Sequence, residues 1–492
     1  MIDTAALRRK TLDLAIQGKL TEQLSTDGNA EELYQQIQAE KAKLIKDKKI
    51  KKEKSLPEIT ADEIPFEIPA NWKWVRIGDV TYNYGQKTPE NRFCYIDVGT
   101  LDNINNRLNG ENNVIEAKDA PSRAKKIVSK GDVIYSTVRP YLHNICIVDR
   151  DFPYEPIAST AFAVMKVIDG CIINKYLFYW LLSECFDKYA NGDSSKGTLY
   201  PAIGEKDFFN GIISLPPLSE QKRIVAKVDE VLAEIKIIDE LQSQYASNVE
   251  VLKSKIIDAG IRGQLTEQLP EDGTAEELYQ AIQTEKAQLI KDKKIKKEKP
   301  LPEITADEIP FEIPANWKWV RLRDIVQIIN GDRGKNYPAK STLSHEGIPF
   351  ISALNLNGDG ITEDDRLLCL TDEQYNRLGS GKLERNDIVI CIRGSIGKHG
   401  RYPYDKGAIA SSLVICRPYI YLDEIGCFIM KWLKSYLFVN EIGKYDGGSA
   451  QPNLAADNLK KFLVPLPPLS EQKRIVAKIN DVFGALDERD RL

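Results

Sequence analysis

The side chains best suited to chemistry in this 492-residue chain are cationic, hydroxyl and amide groups at the edges of loops, and they fall into two sets. The first comprises Lys87, Arg92, Arg139, Tyr141, His143, Lys196 and Tyr200. The second comprises Arg333, Lys335, Asn336, Arg393, Ser395, Lys398, Arg401, Gln451 and Asn453. Arginine and lysine donate in pairs to the guanine edge, while asparagine and glutamine both donate to and accept from the adenine edge. Singly, each is an ordinary surface residue; the grouping points to base recognition.

Catalytic chemistry is much less visible. The three histidines, His143, His345 and His399, have no ligand-pair spacing, and the eight cysteines form no Cys-x-x-Cys pair, so neither a metal centre nor a disulfide framework is expected. There is no dinucleotide-binding fingerprint and no Asn-Pro-Pro-aromatic methyltransferase motif. Gly394-Ser-Ile-Gly397-Lys398 has two residues between its glycines where a phosphate-binding loop needs four, and no hydroxyl residue after the lysine. Glu116-Ala-Lys118, with Asp97 or Asp102 upstream, is the one element of metal-dependent nuclease type, and the Glu363–Asp365 region offers no matching lysine. A metal-dependent nuclease therefore stays as an alternative carried by this element of the first insert.

The elements that must position these residues emerge from composition and repetition. With 42% apolar and 28% charged residues the chain can build sizeable cores. Its 68 basic and 72 acidic residues leave a net charge of −4, so nucleic-acid contact must be local rather than driven by the whole-molecule field. The unpaired cysteines and the lack of a long apolar run point to a reduced, cytoplasmic protein without a membrane segment.

The chain is written twice. Residues 18–80 match 263–325 at 52 of 63 positions, and LPPLSEQKRIVAK occurs at 215–227 and again, unchanged, at 466–478. Trp72 and Trp74 pair with Trp317 and Trp319, and Trp180 with Trp432. Between these blocks, 81–214 and 326–465 have diverged almost completely, although Asp132-Val133-Ile134 answers Asp387-Ile388-Val389 and Arg139 lies near the register of Arg393. Two copies of one scaffold with different inserts imply two reading surfaces. Short β-like runs separated by glycine, asparagine and aspartate turns make each insert α/β or α+β.

From Ser219 the apolar residues Ile224, Val228, Val231, Ile235, Ile238, Tyr245, Val249, Leu252 and Ile256 step by fours and threes, the seam of a coiled coil. Ser219 is the expected N-cap and Gly263 the stop. At ~1.5 Å per residue, a helix over 219–262 would be about 66 Å long, too long to pack inside one small domain. Its counterpart begins at Ser470 and carries Ile475, Ile479, Val482 and Leu486, while Leu7, Lys10, Asp13 and Ile16 align with Leu252, Lys255, Asp258 and Ile261. The second helix is therefore expected to be split between the C-terminal and N-terminal segments, a circularly permuted, pseudo-two-fold arrangement of antiparallel helices. A further helix pair, 30–52 and 275–297, begins amphipathic and ends in lysines. Residues 39–54 hold eight lysines against Glu40, Asp47 and Glu53, which fits either a solvated helix end or sequence-independent phosphate contact.

LPPLSEQKRIVAKVDEVL, LPPLSEQKRIVAKINDVF, IPANWKWVRIGDV, IPANWKWVRLRDI and GSAQPNL at 448–454 resemble the specificity subunit of type I restriction-modification systems, over essentially the whole chain. The first insert departs from that pattern at Gly197-Thr-Leu-Tyr200-Pro201 and at Val138-Arg139-Pro140-Tyr141. The resemblance implies a mixed α/β fold with target recognition domains at 65–214 and 310–465. Conserved helices would occupy 215–263 and 466–492, completed by 1–18, and helical arms 19–64 and 264–309. It implies a non-catalytic subunit that reads a bipartite target in double-stranded DNA, with helices that set the spacer and dock two modification subunits. S-adenosylmethionine would be bound by those subunits, and ATP and magnesium by restriction subunits that translocate and cut. A coiled-coil scaffold that reads no DNA is the other alternative.

Overall fold

The computed structural model describes residues 1–52, 54–192, 195–196, 201–445 and 453–491. They form two compact units: an N-terminal unit, Ile2–Gln242, and a C-terminal unit, Ser243–Leu492, which also takes in Met1. The division falls inside one unbroken α-helix, Leu218–Ile261, of 44 residues, which we call the central helix.

Each insert is closed at its base by an antiparallel pair between the strand that begins it and the strand that ends it, Lys73–Arg76 with Ile212–Leu215 and Lys318–Arg321 with Leu463–Leu466. Above each base stand two four-stranded sheets. In the N-terminal unit one runs Thr81–Tyr82, Phe162–Val167, Val133–Ser136, Ile145–Ile147, and the other Val114–Ile115, Phe93–Ile96, Glu155–Ser159, Ala124–Ile127. The C-terminal unit repeats both orders, with Val326–Asn330, Leu413–Pro418, Ile388–Cys391, His399–Arg401, and with Leu368–Leu370, Ile348–Ile351, Gly407–Ile409, Lys382–Leu383. Even the one parallel pairing among the described residues of each unit recurs, Phe93–Ile96 with Glu155–Ser159 and Ile348–Ile351 with Gly407–Ile409. The fold is thus mixed α/β and duplicated although the insert sequences share almost nothing. Central strands such as Val133–Ser136 and Ile388–Cys391 are buried on both faces, so any apolar, β-rich run satisfies them.

Within each unit the same two helical segments pair antiparallel. In the N-terminal unit Ile2 meets Gln242 and Arg8 meets Asp239, whereas Ile16, at the other end of helix Thr4–Ile16, accepts a hydrogen bond from Ser214 just before the central helix. In the C-terminal unit Lys253 pairs with Asp487 at 2.8 Å, whereas Gly260 lies so close to helix Leu469–Arg491 that a Cβ there would stand 3.0 Å from Ile475 Cγ2.

The seam expected from the heptads holds in part. Ile224, Val228, Ile235, Val249, Ile475 and Ile479 are buried, and Val231, Ile238, Ile256, Val482 and Leu486 are half-buried. Tyr245 and Leu252, however, are 40% and 43% exposed, and beyond Val249 the buried positions are Ile257, Gly260 and Ile261. A helix with about 3.6 residues per turn drifts by about 20° per heptad from a strict 3.5-residue seam, so the buried face rotates off Leu252. The lysine-rich helices also stop earlier than expected, at Lys46 and Lys291. Lys48 and Lys293 adopt left-handed conformations, φ 56° and 59°, and the amides of Lys48 and Lys49 bond back to Ile45 and Leu44, so the remaining lysines form an extended strap.

The duplicated words build one joint twice. Glu220, buried in the first turn of the central helix, accepts from Trp72 Nε1 at 2.7 Å and from Gln23; Glu471 accepts from Trp317 Nε1 at 2.8 Å and from Gln268 at 2.7 Å. Arg76 pairs with Glu63 and donates to the carbonyl of Asn210, as Arg321 pairs with Glu308 and donates to Lys461. Gly18 and Gly263, φ 71° and 72°, lie under Pro69 and Pro314, where a Cβ would stand 2.5 and 2.4 Å from the ring, so only glycine fits. Asp27 receives both the Arg223 guanidinium, at 2.5 and 2.6 Å, and the Ser219 hydroxyl at 2.9 Å. These bonds, Arg223 foremost, hold its carboxyl down at about 2. The stabilisation is therefore fully present above about pH 4, the free-carboxylate range, and is lost as pH falls toward 2. Asp27→Asn is expected to cost about 1–3 kcal/mol at neutral pH and to flatten this acid limb in urea titrations; an unchanged limb would count against the pair.

Candidate nucleic-acid interface

In each unit a turn leaves the buried strand next to the sheet edge and returns as the edge strand. In the C-terminal unit this turn is 392–398, and in the N-terminal unit 137–144. Isolated bridges fix the homologous registers: Arg393 pairs with Asn453, and Val138 with Ala202. Arg393 thus corresponds to Val138, and Arg139 to Gly394, one position away from the register suggested by the sequence.

Arg393, Ser395, Lys398 and Asn453 come together at the exposed C-terminal turn. Arg393 Nε donates to Asn453 Oδ1 at 3.1 Å, and the Leu454 amide donates to the Ile392 carbonyl at 2.9 Å. Arg333 joins this edge by donating to the Ser411 carbonyl at 3.3 Å, while the Ile392 amide bonds to Ser412. Asn336 is tied to the Arg377 carbonyl at 2.9 Å, and Lys335 is exposed on the same loop. Gly394 and Gly397, φ 78° and 85°, let the turn close, and buried His399 supports it through Nδ1, 2.8 Å from the Gly397 carbonyl. Burial lowers the His399 pKa, so the ring is a neutral donor here. Arg401 is placed elsewhere: its guanidinium turns to Asp423 at 2.5 Å and to Cys427, bracing helix Asp423–Trp432.

The N-terminal turn has a different surface on the same frame. Arg139 and His143 occupy the two left-handed positions, φ 51° and 47°, where the other unit has glycines, and Tyr141 between them is 50% exposed. Such strain is held only where surroundings over-determine it. His143 Nε2 lies 2.6 Å from Asp187, the Asn103 amide donates to the Leu142 carbonyl, the Asn106 amide to the His143 carbonyl, and the Arg139 amide to Pro201. Lys87 and Arg92 are not part of this turn; Lys87 pairs with Glu155 at 2.6 Å, and Arg92 with Glu116 at 3.3 Å while stacking on Tyr154. Tyr200 and Gln451 lie outside the described residues, and of Lys196 only the backbone, paired with Ala202, is described. Asn103, Asn106 and Asp187 were not singled out from sequence; the asparagine-rich run around Ile104, which is 88% exposed, was the available signal.

Glu116, the residue of the nuclease alternative, is engaged by Arg92, and among the described residues no three His, Cys, Asp or Glu side chains converge to hold a metal ion. The arrangement offers rigid donors and acceptors on two unlike surfaces, which is chemistry for recognition.

A family model described as the type I restriction modification DNA specificity domain matches residues 69–244 and 314–490, and the chain belongs to that family. It is similar to the EcoAI type I restriction enzyme specificity subunit of Escherichia coli, with 29% identity over 97% of this chain and 88% of that protein. A solved structure concerned with complex assembly and conformational transition of the type I R-M system superposes with a TM-score of 0.62 at 26% identity, covering 87% of this chain and 94% of the other. The HsdS subunit from Thermoanaerobacter tengcongensis gives 0.51 at 26% identity, over 87% and 93%. The chain is therefore a DNA-sequence-recognising specificity subunit of the type I restriction-modification class.

Proposed function

We propose that each insert reads one half of a bipartite duplex target, and that the two halves are read by turns 137–144 and 392–398 with their flanking segments. One observation carries this reading: two inserts with almost unrelated sequences keep one strand order and one hydrogen-bonded turn frame while presenting different side chains. A frame that keeps its geometry while changing Arg393, Ser395 and Asn453 to Val138, Pro140 and Ala202 changes what is read and not where.

In the same reading the paired helices set the unspecified spacer and dock two modification subunits, which methylate adenine with S-adenosylmethionine. Restriction subunits supply ATP- and magnesium-dependent translocation and cleavage, so this chain directs chemistry without performing it. No helix among the described residues is long and apolar enough to cross a membrane, in keeping with the cytoplasmic location such a complex needs.

Mapping methylated adenines in DNA exposed to the reconstituted complex tests the proposal. Replacing 81–214 by another family insert is expected to change one half-site and leave the other. A change in both half-sites, or methylation without sequence preference as a pure scaffold would give, would overturn it.

A further inference from the structure

The two lysine straps carry the same text, KKIKKEK at 48–54 and 293–299, and residue 53, the counterpart of Glu298, lies outside the described residues. In the C-terminal unit Ile295 packs against the hydrophobic core. Arg323, with its side chain only 10% exposed, donates to the Lys299 carbonyl at 2.8 Å and pairs with Glu298 at 3.0 Å, and Glu298 also holds Lys460 at 2.8 Å. Arg323 thus ties that strap to the start of the insert. At the same place the N-terminal unit has Gly78, one of the 11 differences between the repeated segments. There Lys41 reaches the carbonyls of Gly78 and Thr81, at 2.6 and 2.9 Å, and an open groove of about 1210 Å³ remains.

The lining of the groove is specific in kind. It takes in seven lysines, among them Lys48, Lys49, Lys51 and Lys52, together with Arg76, against Glu58 and Asp79. The rim is anchored at both ends, by the left-handed turn at Lys48 and by Arg76, which donates to the carbonyls of Pro57 at 3.0 Å and Glu58 at 2.8 Å. Flexible ammonium groups along this rim suit a row of phosphates, so the groove offers charge for the backbone rather than base readout.

We propose that this groove is a phosphate-binding site that grips the DNA backbone outside the recognised bases, and that its counterpart in the C-terminal unit is closed by Arg323. The proposal rests on the reading of the chain as a DNA-recognising subunit. It assigns the charged strap a role in affinity separate from the turns that confer specificity.

The test uses the full chain and a fluorescent duplex of unrelated sequence, titrated by anisotropy at about 50–200 mM salt, where phosphate contacts dominate. Replacing Lys48, Lys49, Lys51 and Lys52 by glutamine is expected to weaken binding about 10–100-fold at the low-salt end and to reduce the slope of log K against log salt by about 3–4, at about 0.9 per lost phosphate contact. Gly78→Arg, which copies the other repeat, is expected to weaken binding although it adds a positive charge; a Cβ there would stand 2.9 Å from Leu56 Cδ1 and 3.3 Å from the Phe209 carbonyl oxygen, so its melting temperature is read with its affinity, and Arg323→Gly is expected to strengthen binding. Unchanged melting temperatures for the glutamine variant separate this from misfolding. An unchanged salt slope overturns the proposal, as does competition by tripolyphosphate alone with duplex affinity unaffected, or loss of association with the modification subunits instead of DNA. If the unaltered chain bound no duplex at all, the functional reading itself would fail.

Discussion

Glu220→Ala is expected to lower the stability of the N-terminal unit by about 1–3 kcal/mol. Glu220 is wholly buried, and the Trp72 indole N–H and the Gln23 amide both point at its carboxylate. Removing it leaves the buried Trp72 indole N–H unpaired, at about 1–3 kcal/mol, whereas exposed Gln23 keeps its bond to the Gly18 carbonyl. Glu471→Ala should do the same to the C-terminal unit through Trp317 and Gln268. Calorimetry of the two variants checks this. Each is expected to shift unfolding of its own unit, and a common shift in both variants, or none, would show that the joint is not what holds a unit together.

Arg393→Ala is expected to carry the largest functional effect, a 10–100-fold loss of methylation at the cognate site, equivalent to the 1–3 kcal/mol of discrimination typical of one good base contact. Arg393 is exposed, its backbone is bridged to Asn453, and its Nε is already oriented by the Asn453 carbonyl oxygen. The remaining guanidinium donors are thereby aimed without being consumed. On a library with both half-sites randomised, methylation by the reconstituted complex should lose preference in one half-site only. Arg401→Ala is the control, because its guanidinium is held by Asp423 and its loss should act on stability and not on base preference. Identical preferences for Arg393→Ala and the unaltered chain would remove this turn from the reading surface.

The duplication, the closed inserts and the family were legible in the chain because they rest on local words that must recur to rebuild the same joint. Trp72 and Gln23 meet Glu220, Arg223 meets Asp27, and Arg76 meets Glu63 only if all are kept together, so the joint recurs as repeated text. The antiparallel pairing of helix segments was equally legible from the alignment of Asp13 with Asp258. Asp258 accepts from the Tyr436 amide, and Asp13 caps the corresponding helix at Glu184. The coiled-coil seam was legible at Ile224, Val228, Ile235 and Val249 but not at Tyr245 and Leu252, because a heptad read along a string carries no information about how far a straight helix rotates away from it.

The candidate site was least legible, for a related reason. Arg393 and Asn453 are 60 residues apart, and their register is set by an edge-strand turn and a bridge that no local pattern announces. Arg139 is as cationic as Arg393, but the pairing places it at the glycine position of the other turn, in a left-handed conformation. Lys87, Arg92 and Arg401 have suitable chemistry and are occupied by carboxylates. By itself the sequence determined that there are two reading heads on repeated joints, since repetition and periodicity are properties of order along the chain. Only the tertiary structure decided which charged side chains face outward together and whether Tyr245 and Leu252 are buried, since those depend on packing between residues far apart in sequence.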